Sequence, residues 1–322
     1  MKLLIGKMIL YFILILVFLE VCVRVFHLYF EYPTYYINEF NVKTYLPKQQ
    51  GYYVTGNRRM NYIKYNINDS GFNSYKEYNP TNSTTDIALI GDSFIEGFHQ
   101  DYYKSIGKKI ETKLKNAVNV FEYGHSGYDL ADQLHLIQAY QSHFENIDYI
   151  FIYIKFNNDL KRGKYTPNQW RVDLQNSFSF KIRDKIKLTT YAEGIGVFEP
   201  ILRLRDKFFG IIPETYSDDP VSEADAKKYL VNLQSLVDTY GFDKTKTSFL
   251  LDKDKTSTYF LDYCDKMGYN YVDFGKAFKQ SDKPTTLIYD MHWNNHGRNL
   301  IANSIVDYLN KKLETKKNTI EK

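Results

Sequence analysis

The chain reads as an α/β protein, a parallel sheet with helices on both faces, preceded by one N-terminal apolar helix. Three observations predict this. From residue 85 onward, short apolar runs alternate with segments of helical spacing. The run Asp148–Ile154 has no polar face, as a strand covered on both sides requires. Residues 8–19 are apolar or aromatic without interruption.

The elements follow in order. Val21, Cys22, Val23, Val25 and Phe26 prolong the N-terminal run past Glu20 and Arg24. Residues 8–28 then supply the ~20 residues that a helix needs to cross hydrocarbon, if the two charges sit near the far interface and snorkel. Lys2 and Lys7 precede the run, which predicts a cytoplasmic N-terminus and a single-pass protein with the rest of the chain outside the cytoplasmic membrane. No small-x-small cleavage site follows, so the segment reads as an uncleaved signal anchor. A cleaved signal or an interfacial helix is the other reading. Residues 30–83 are rich in Tyr and Asn, with short strand-like pieces and the turn Asn68-Asp69-Ser70-Gly71, and read as an extension that wraps or spaces the main domain. Asp86–Gly91 is a buried strand ending in glycine; residues 101–116 are helical; Val118–Tyr123 is a second strand; Leu130–Phe144 is helical; Asp148–Ile154 is the third strand. Residues 160–220 break the alternation and read as an irregular insertion that rises from the end of the third strand, or as a disordered surface loop. The alternation then resumes with a helix at 222–240, a strand at 248–251, a helix through Met267, a strand at 269–274 and a closing helix at 295–311. Residues 315–322 form a charged tail.

Composition excludes some functions. The chain has 322 residues, 43% hydrophobic and 25% charged, enough for a sizeable core. A net charge of +4, with no concentrated basic stripe, argues against nucleic-acid binding. Two cysteines, Cys22 and Cys264, allow neither a disulfide framework nor a zinc spacing.

The chemistry-bearing residues cluster at predicted strand ends, where open parallel sheets place their active sites. Ser93 in Gly91-Asp92-Ser93-Phe94 follows the first strand and opens a helix. Its hydroxyl would be exposed at the sheet edge, and its own N–H, in a first turn, has no helical partner. Asp-Ser after glycine serves equally well as a helix N-cap. Asp290-Met291-His292-Trp293-Asn294 precedes the last helix. In an extended piece, residues two apart face one side, so Asp290 would orient His292 as a base. Gly127, in Gly124-His125-Ser126-Gly127, follows the second strand, where glycine lets a backbone N–H approach an oxyanion; a plain turn is the alternative. Asn158, in Phe156-Asn157-Asn158-Asp159, follows the third strand and offers a side-chain amide, or belongs to an ordinary polar loop. Trp170 and Arg171, in the insertion, suit stacking on a sugar ring and binding an acidic glycan.

Over residues 66–312 the chain resembles the SGNH (GDSL-like) hydrolase superfamily. Gly91-Asp92-Ser93, Gly127 within Ser126-Gly127-Tyr128-Asp129, Asn158, and Asp290-x-His292 with Asn294 and Gly297 match its four blocks in order. Asn68-Asp69-Ser70-Gly71-Phe72 resembles a segment that precedes the core in membrane-anchored bacterial members. The resemblance implies a three-layer α/β/α sandwich spanning residues 84–314 behind an anchor at 1–29. It implies no metal and no cofactor. It implies Ser93 as nucleophile, His292 and Asp290 as its partners, and an oxyanion hole from Ser93, Gly127 and Asn158. The expected activity is that of a serine esterase or O-acyltransferase on acyl esters, acetyl above all, of envelope glycans. The partners expected with it are an acylated glycan or small ester, the membrane through the N-terminal helix and, for acyl transfer, a membrane protein supplying the acyl group. The alternative is a catalytically silent fold serving as a binding subunit of a polysaccharide-modifying complex.

Overall fold

The computed structural model describes residues 2–55, 59–81, 83–200 and 221–320. Its strands are β1 (Tyr35–Ile37), β2 (Lys43–Tyr45), β3 (Gln50–Thr55), β4 (Asn61–Asn66), β5 (Thr85–Gly91), β6 (Val118–Gly124), β7 (Tyr149–Tyr153), β8 (Thr247–Leu251) and β9 (Asn270–Asp273). Its helices are α1 (Lys2–Val25), α2 (Ser93–Glu96), α3 (Ile106–Lys113), α4 (Leu130–Ala139), α5 (Gln141–Phe144), α6 (Phe156–Asp159), α7 (Gln169–Asn176), α8 (Phe178–Lys185) and α9 (Lys187–Gly194), then α10 (Glu223–Tyr240), α11 (Thr258–Met267), α12 (Gly275–Lys279) and α13 (Asn295–Ile320).

The chain divides into two compact units. The larger comprises Tyr35–Gln50, Tyr65–Asn168 and Tyr216–Lys322. Its centre is a five-stranded sheet in the order β6-β5-β7-β8-β9, every pair parallel. Side chains alternate across each strand, so each strand feeds two cores. Ala88 and Ile90 of β5, Ile150 and Ile152 of β7 and Phe249 of β8 pack with Leu134 of α4, Leu233 of α10 and Phe260 of α11. Ile87 and Leu89, Phe151 and Leu250 pack on the other side with Ile110 of α3 and Ile301 and Ile305 of α13. That is the three-layer α/β/α arrangement, and it explains why these strands read as continuous apolar runs.

The extension contributes to this unit. Asn68 accepts the Phe72 N–H at 2.9 Å, Gly71 turns the chain at φ +83°, and Phe72 is delivered fully buried against Tyr78 and Tyr123. The helix expected over 101–116 begins only at Ile106, because Ser105 caps it and Asp101 caps a separate 3-10 turn.

The smaller unit comprises Met1–Thr34, Gly51–Lys64 and Gln169–Thr215. In it α1 is a 24-residue helix, about 36 Å at the helical rise, with apolar side chains exposed along its length. It is long and apolar enough to cross a membrane. The two charges that interrupt its apolar run are satisfied locally. Glu20 accepts from Arg24 Nε at 2.7 Å and from the first N–H groups of α9, Lys187 at 3.0 Å and Leu188 at 2.6 Å. Arg24 Nη2 donates to the Lys185 carbonyl at 2.7 Å. The expectation of an irregular 160–220 segment is corrected here: α7, α8 and α9 occupy 169–194, with Ser177 capping α8. Each is eight residues, short enough for the surrounding aromatic and charged residues to obscure its spacing. Residues 201–220 lie outside the described residues.

Helix α2 is seated closely on β6 at the sheet's carboxyl edge. Gly124, the last residue of β6, lies so near α2 that a Cβ there would fall on the Glu96 backbone. Gly124→Ala is therefore expected to cost about 1–3 kcal/mol through forced backbone displacement. Urea unfolding of the detergent-solubilised chain measures this, and an unchanged midpoint would show that α2 does not rest on β6.

Candidate active site

Three strand ends and the segment before α13 build the site. Asp92 caps α2 by accepting the Phe94 N–H at 2.9 Å, which leaves Ser93 as the first helical residue with its hydroxyl unencumbered by capping. The two roles weighed for this serine thus fall on different residues. Lys155, after β7, holds the other Asp92 oxygen at 2.8 Å and lies 4.3 Å over the Phe94 ring.

Ser93 Oγ is 2.7 Å from His292 Nε2, and His292 Nδ1 is 2.5 Å from Asp290 Oδ1. The segment is not the extended piece that the spacing predicts. It bends, and Asp290 Oδ1 also accepts the His292 N–H at 3.0 Å, an Asx turn that brings the carboxylate to the ring. An antiparallel bridge between Thr286 and Trp293, and the Leu287 N–H to His292 carbonyl bond of 2.9 Å, fix this loop. Asn294 pins its exit, donating to the Pro284 and Thr286 carbonyls and capping α13 through the His296 and Gly297 N–H groups. Trp293 is buried against Phe94, Tyr153 and Phe274.

Sequence reasoning missed His99. Its ring stacks on His292 with centroids 3.7 Å apart, and its Nε2 lies 3.2 Å from Asp290 Oδ2. Burial alone would raise the Asp290 pKa, but the hydrogen bonds from His292 and His99 outweigh it and hold the carboxyl well below the usual carboxylate range. Burial lowers the pKa of His99, against the pull of Asp290, and favours its neutral form. The one available signal was position: a histidine six residues after the serine and one turn past a short helix. Among the described residues, His99, Asp290 and His292 also form a group with metal-ligand atoms within 4.8 Å of one another. Those atoms are engaged in the Asp290 and Ser93 bonds just described, so a cation would have to break them to enter.

The other expected residues are placed as follows. Ser93, Asn158 and His292 line one cleft of about 520 Å³ at the carboxyl ends of β5, β7, β8 and β9, with Phe94, Phe156, Phe274 and Met291 as apolar walls. Gly127 is not among its lining residues; it sits in the loop after β6 at φ +74°. Two further acids position the Gly127 loop. Glu96 accepts from the Ser126 N–H at 2.8 Å and from Tyr45 at 2.6 Å. Asp129 caps α4 and is gripped by Arg162, which also reaches Asp132 at 2.6 Å. Neither Glu96 nor Arg162 is evident from residue type. Trp170 and Arg171 belong to the smaller unit, at the start of α7, with Trp170 exposed and Arg171 half-buried.

No protein-family model matches the chain, and no curated protein does. Solved structures do. A lipase/acylhydrolase from Enterococcus faecalis is similar at 12% identity and TM-score 0.42, over 71% of this chain and 97% of that one. A psychrotrophic esterase from Pseudoalteromonas is similar at 12% identity and TM-score 0.40, over 71% and 99%. A member of the lipolytic G-D-S-L family from Veillonella parvula is similar at 14% identity and TM-score 0.37, over 70% and 97%.

Burial pushes the Glu96 pKa up from 4.5 to about 7, with the Tyr45 and Ser126 hydrogen bonds opposing it. A folded-state pKa above the unfolded one means that the native state holds the proton longer. Glu96 therefore costs stability as pH rises from 4.5 through 7, by at most about 3 kcal/mol. Glu96→Gln keeps an acceptor for both donors and should remove this loss. The difference in unfolding free energy between variant and wild type should grow between pH 5 and 8; a constant difference would mean that Glu96 ionises freely.

Proposed function

We propose that the chain is a membrane-anchored serine hydrolase or acyltransferase of SGNH type, acting on ester-linked acyl groups. The observation that carries this is the relay in which Asp290 holds His292 Nδ1 at 2.5 Å and His292 Nε2 meets Ser93 Oγ at 2.7 Å. With Nδ1 donating to Asp290, Nε2 is the unprotonated nitrogen that a general base requires.

In the proposed reaction Ser93 Oγ attacks the ester carbonyl while His292 Nε2 takes the hydroxyl proton. The oxyanion is stabilised by the Ser93 and Gly127 N–H groups and the Asn158 amide, and the place of these residues just after β5, β6 and β7 supports that role. His292 then returns the proton to the departing alkoxide oxygen. The acyl-serine is resolved by water, giving hydrolysis, or by a glycan hydroxyl, giving transfer, with His292 again accepting the proton. The ionised Asp290 stabilises the imidazolium that forms in both steps.

The setting we propose is the outer face of the cytoplasmic membrane, with α1 as an uncleaved anchor. Acylated, chiefly acetylated, envelope glycans are then the accessible esters, and a membrane acyl-donor protein would be the partner for transfer. The length and exposed apolar surface of α1 support the anchor; the four sequence blocks support the chemistry.

Ser93→Ala should abolish labelling by a fluorophosphonate probe and hydrolysis of an aryl acetate while leaving the circular dichroism spectrum and unfolding midpoint intact. Turnover retained by a folded Ser93→Ala chain would end the assignment of Ser93.

His99 has a separable role in this scheme. His99→Phe keeps a ring against His292 and deletes the bond to Asp290. Loss of one hydrogen bond to a charged group, about 1.5–3 kcal/mol, predicts a fall in kcat of roughly 10- to 150-fold with little change in KM. Wild-type kcat in His99→Phe would reduce His99 to packing.

A further inference from the structure

We propose that α7 and α8 lie in the headgroup layer of the membrane that α1 spans, with their exposed apolar side chains inserted among phospholipid acyl chains. The inference rests on the anchor proposed above and concerns the smaller unit alone.

Depth is set by the Glu20–Arg24 pair. A carboxylate and a guanidinium are costly in hydrocarbon and remain at or beyond its edge. Glu20 is bonded to the N–H groups of Lys187 and Leu188, and Arg24 to the Lys185 carbonyl. The last residue of α8 and the first of α9 are therefore held at the level where α1 leaves the apolar layer. Helix α1 packs on α9, α9 on α8, and α8 on α7, so the three short helices stay near that level.

Their exposed surface matches the location. Trp170 and Leu174 are four apart in α7, Phe178 and Ile182 four apart in α8, and Ile186 follows. Trp170 is 64% and Phe178 80% exposed. Side chains three to four apart share a helix face, so each helix presents an apolar pair. A row of apolar residues crowned by Trp and Phe next to an apolar span is the surface that interfacial helices bury 5–10 Å into the boundary between headgroups and chains. Lys181 and Lys185 are exposed on the same helix and suit anionic headgroups. This reading gives Trp170 a lipid environment in place of the sugar stacking that its residue type first suggests.

The test uses the full chain in nanodiscs containing phosphatidylglycerol and either ordinary or acyl-brominated phosphatidylcholine, bromine being a contact quencher of indole. The chain has two tryptophans, and the other, Trp293, is buried beside the catalytic loop. Brominated lipid should quench the wild-type emission, Trp170→Phe should abolish that quenching, and adding Phe178→Trp to Trp170→Phe should restore it. Equal emission in both lipids for wild type and for the Phe178→Trp chain would overturn the proposal. So would Trp170 emission that ignores bromine but shifts on adding acetylated polygalacturonate, which would place a glycan there. A chain that leaves the discs in alkaline carbonate would overturn the anchor and this inference together, while the Ser93 chemistry would stand.

Discussion

The burial of one carboxyl group organises the catalytic edge of the sheet. Glu96 closes the four-residue helix that Ser93 opens, and it is almost wholly removed from water. Its side chain gathers Tyr45 from β2 and the Ser126 N–H from the loop after β6, while its backbone carbonyl takes the Asn73 amide at 2.9 Å. A buried acceptor left without donors is costly, so these three segments are bound to α2 by mutual satisfaction. Gly124 makes the arrangement sterically feasible and Gly127 turns the loop beneath it. The part of the extension that carries Tyr45 and Asn73 is therefore structural for the site and not a spacer.

Two acids on this edge are driven in opposite directions. Asp290 is held ionised by imidazoles on both its oxygens; Glu96, sheltered among a phenol and an amide, resists ionisation up to about pH 7. Opposed environments of this kind divide labour between chemically similar groups. Negative charge is thus held beside the two imidazoles and resisted at Glu96, under the loop after β6.

The fold was legible because parallel strands buried on both faces leave unbroken apolar runs, and β5, β7 and β8 are such runs. Ser93, Asn158, Asp290 and His292 were legible because residues at strand ends and before a closing helix fall on one edge of such a sheet. His99, Glu96 and Arg162 were not. Each acts through a partner distant in sequence or through burial, and none of the three has a local pattern. The Asp290–His292 contact illustrates the same limit: spacing favoured an extended segment, whereas the carboxylate reaches the ring through a turn that its own hydrogen bond to the His292 N–H creates. Helices α7–α9 escaped notice because each is only eight residues long, too short for a spacing of two or three apolar residues to stand out from the aromatic and charged residues around it.

Ser93 and His292 are 199 positions apart, and the histidine arrives on the loop that leads into α13. A chain emerging from the ribosome or the translocon displays its serine long before the imidazole exists. During that interval the hydroxyl has the reactivity of any other alcohol. If Ser93 and His292 act together as proposed, a chain interrupted before the loop that leads into α13 would carry the serine without its base.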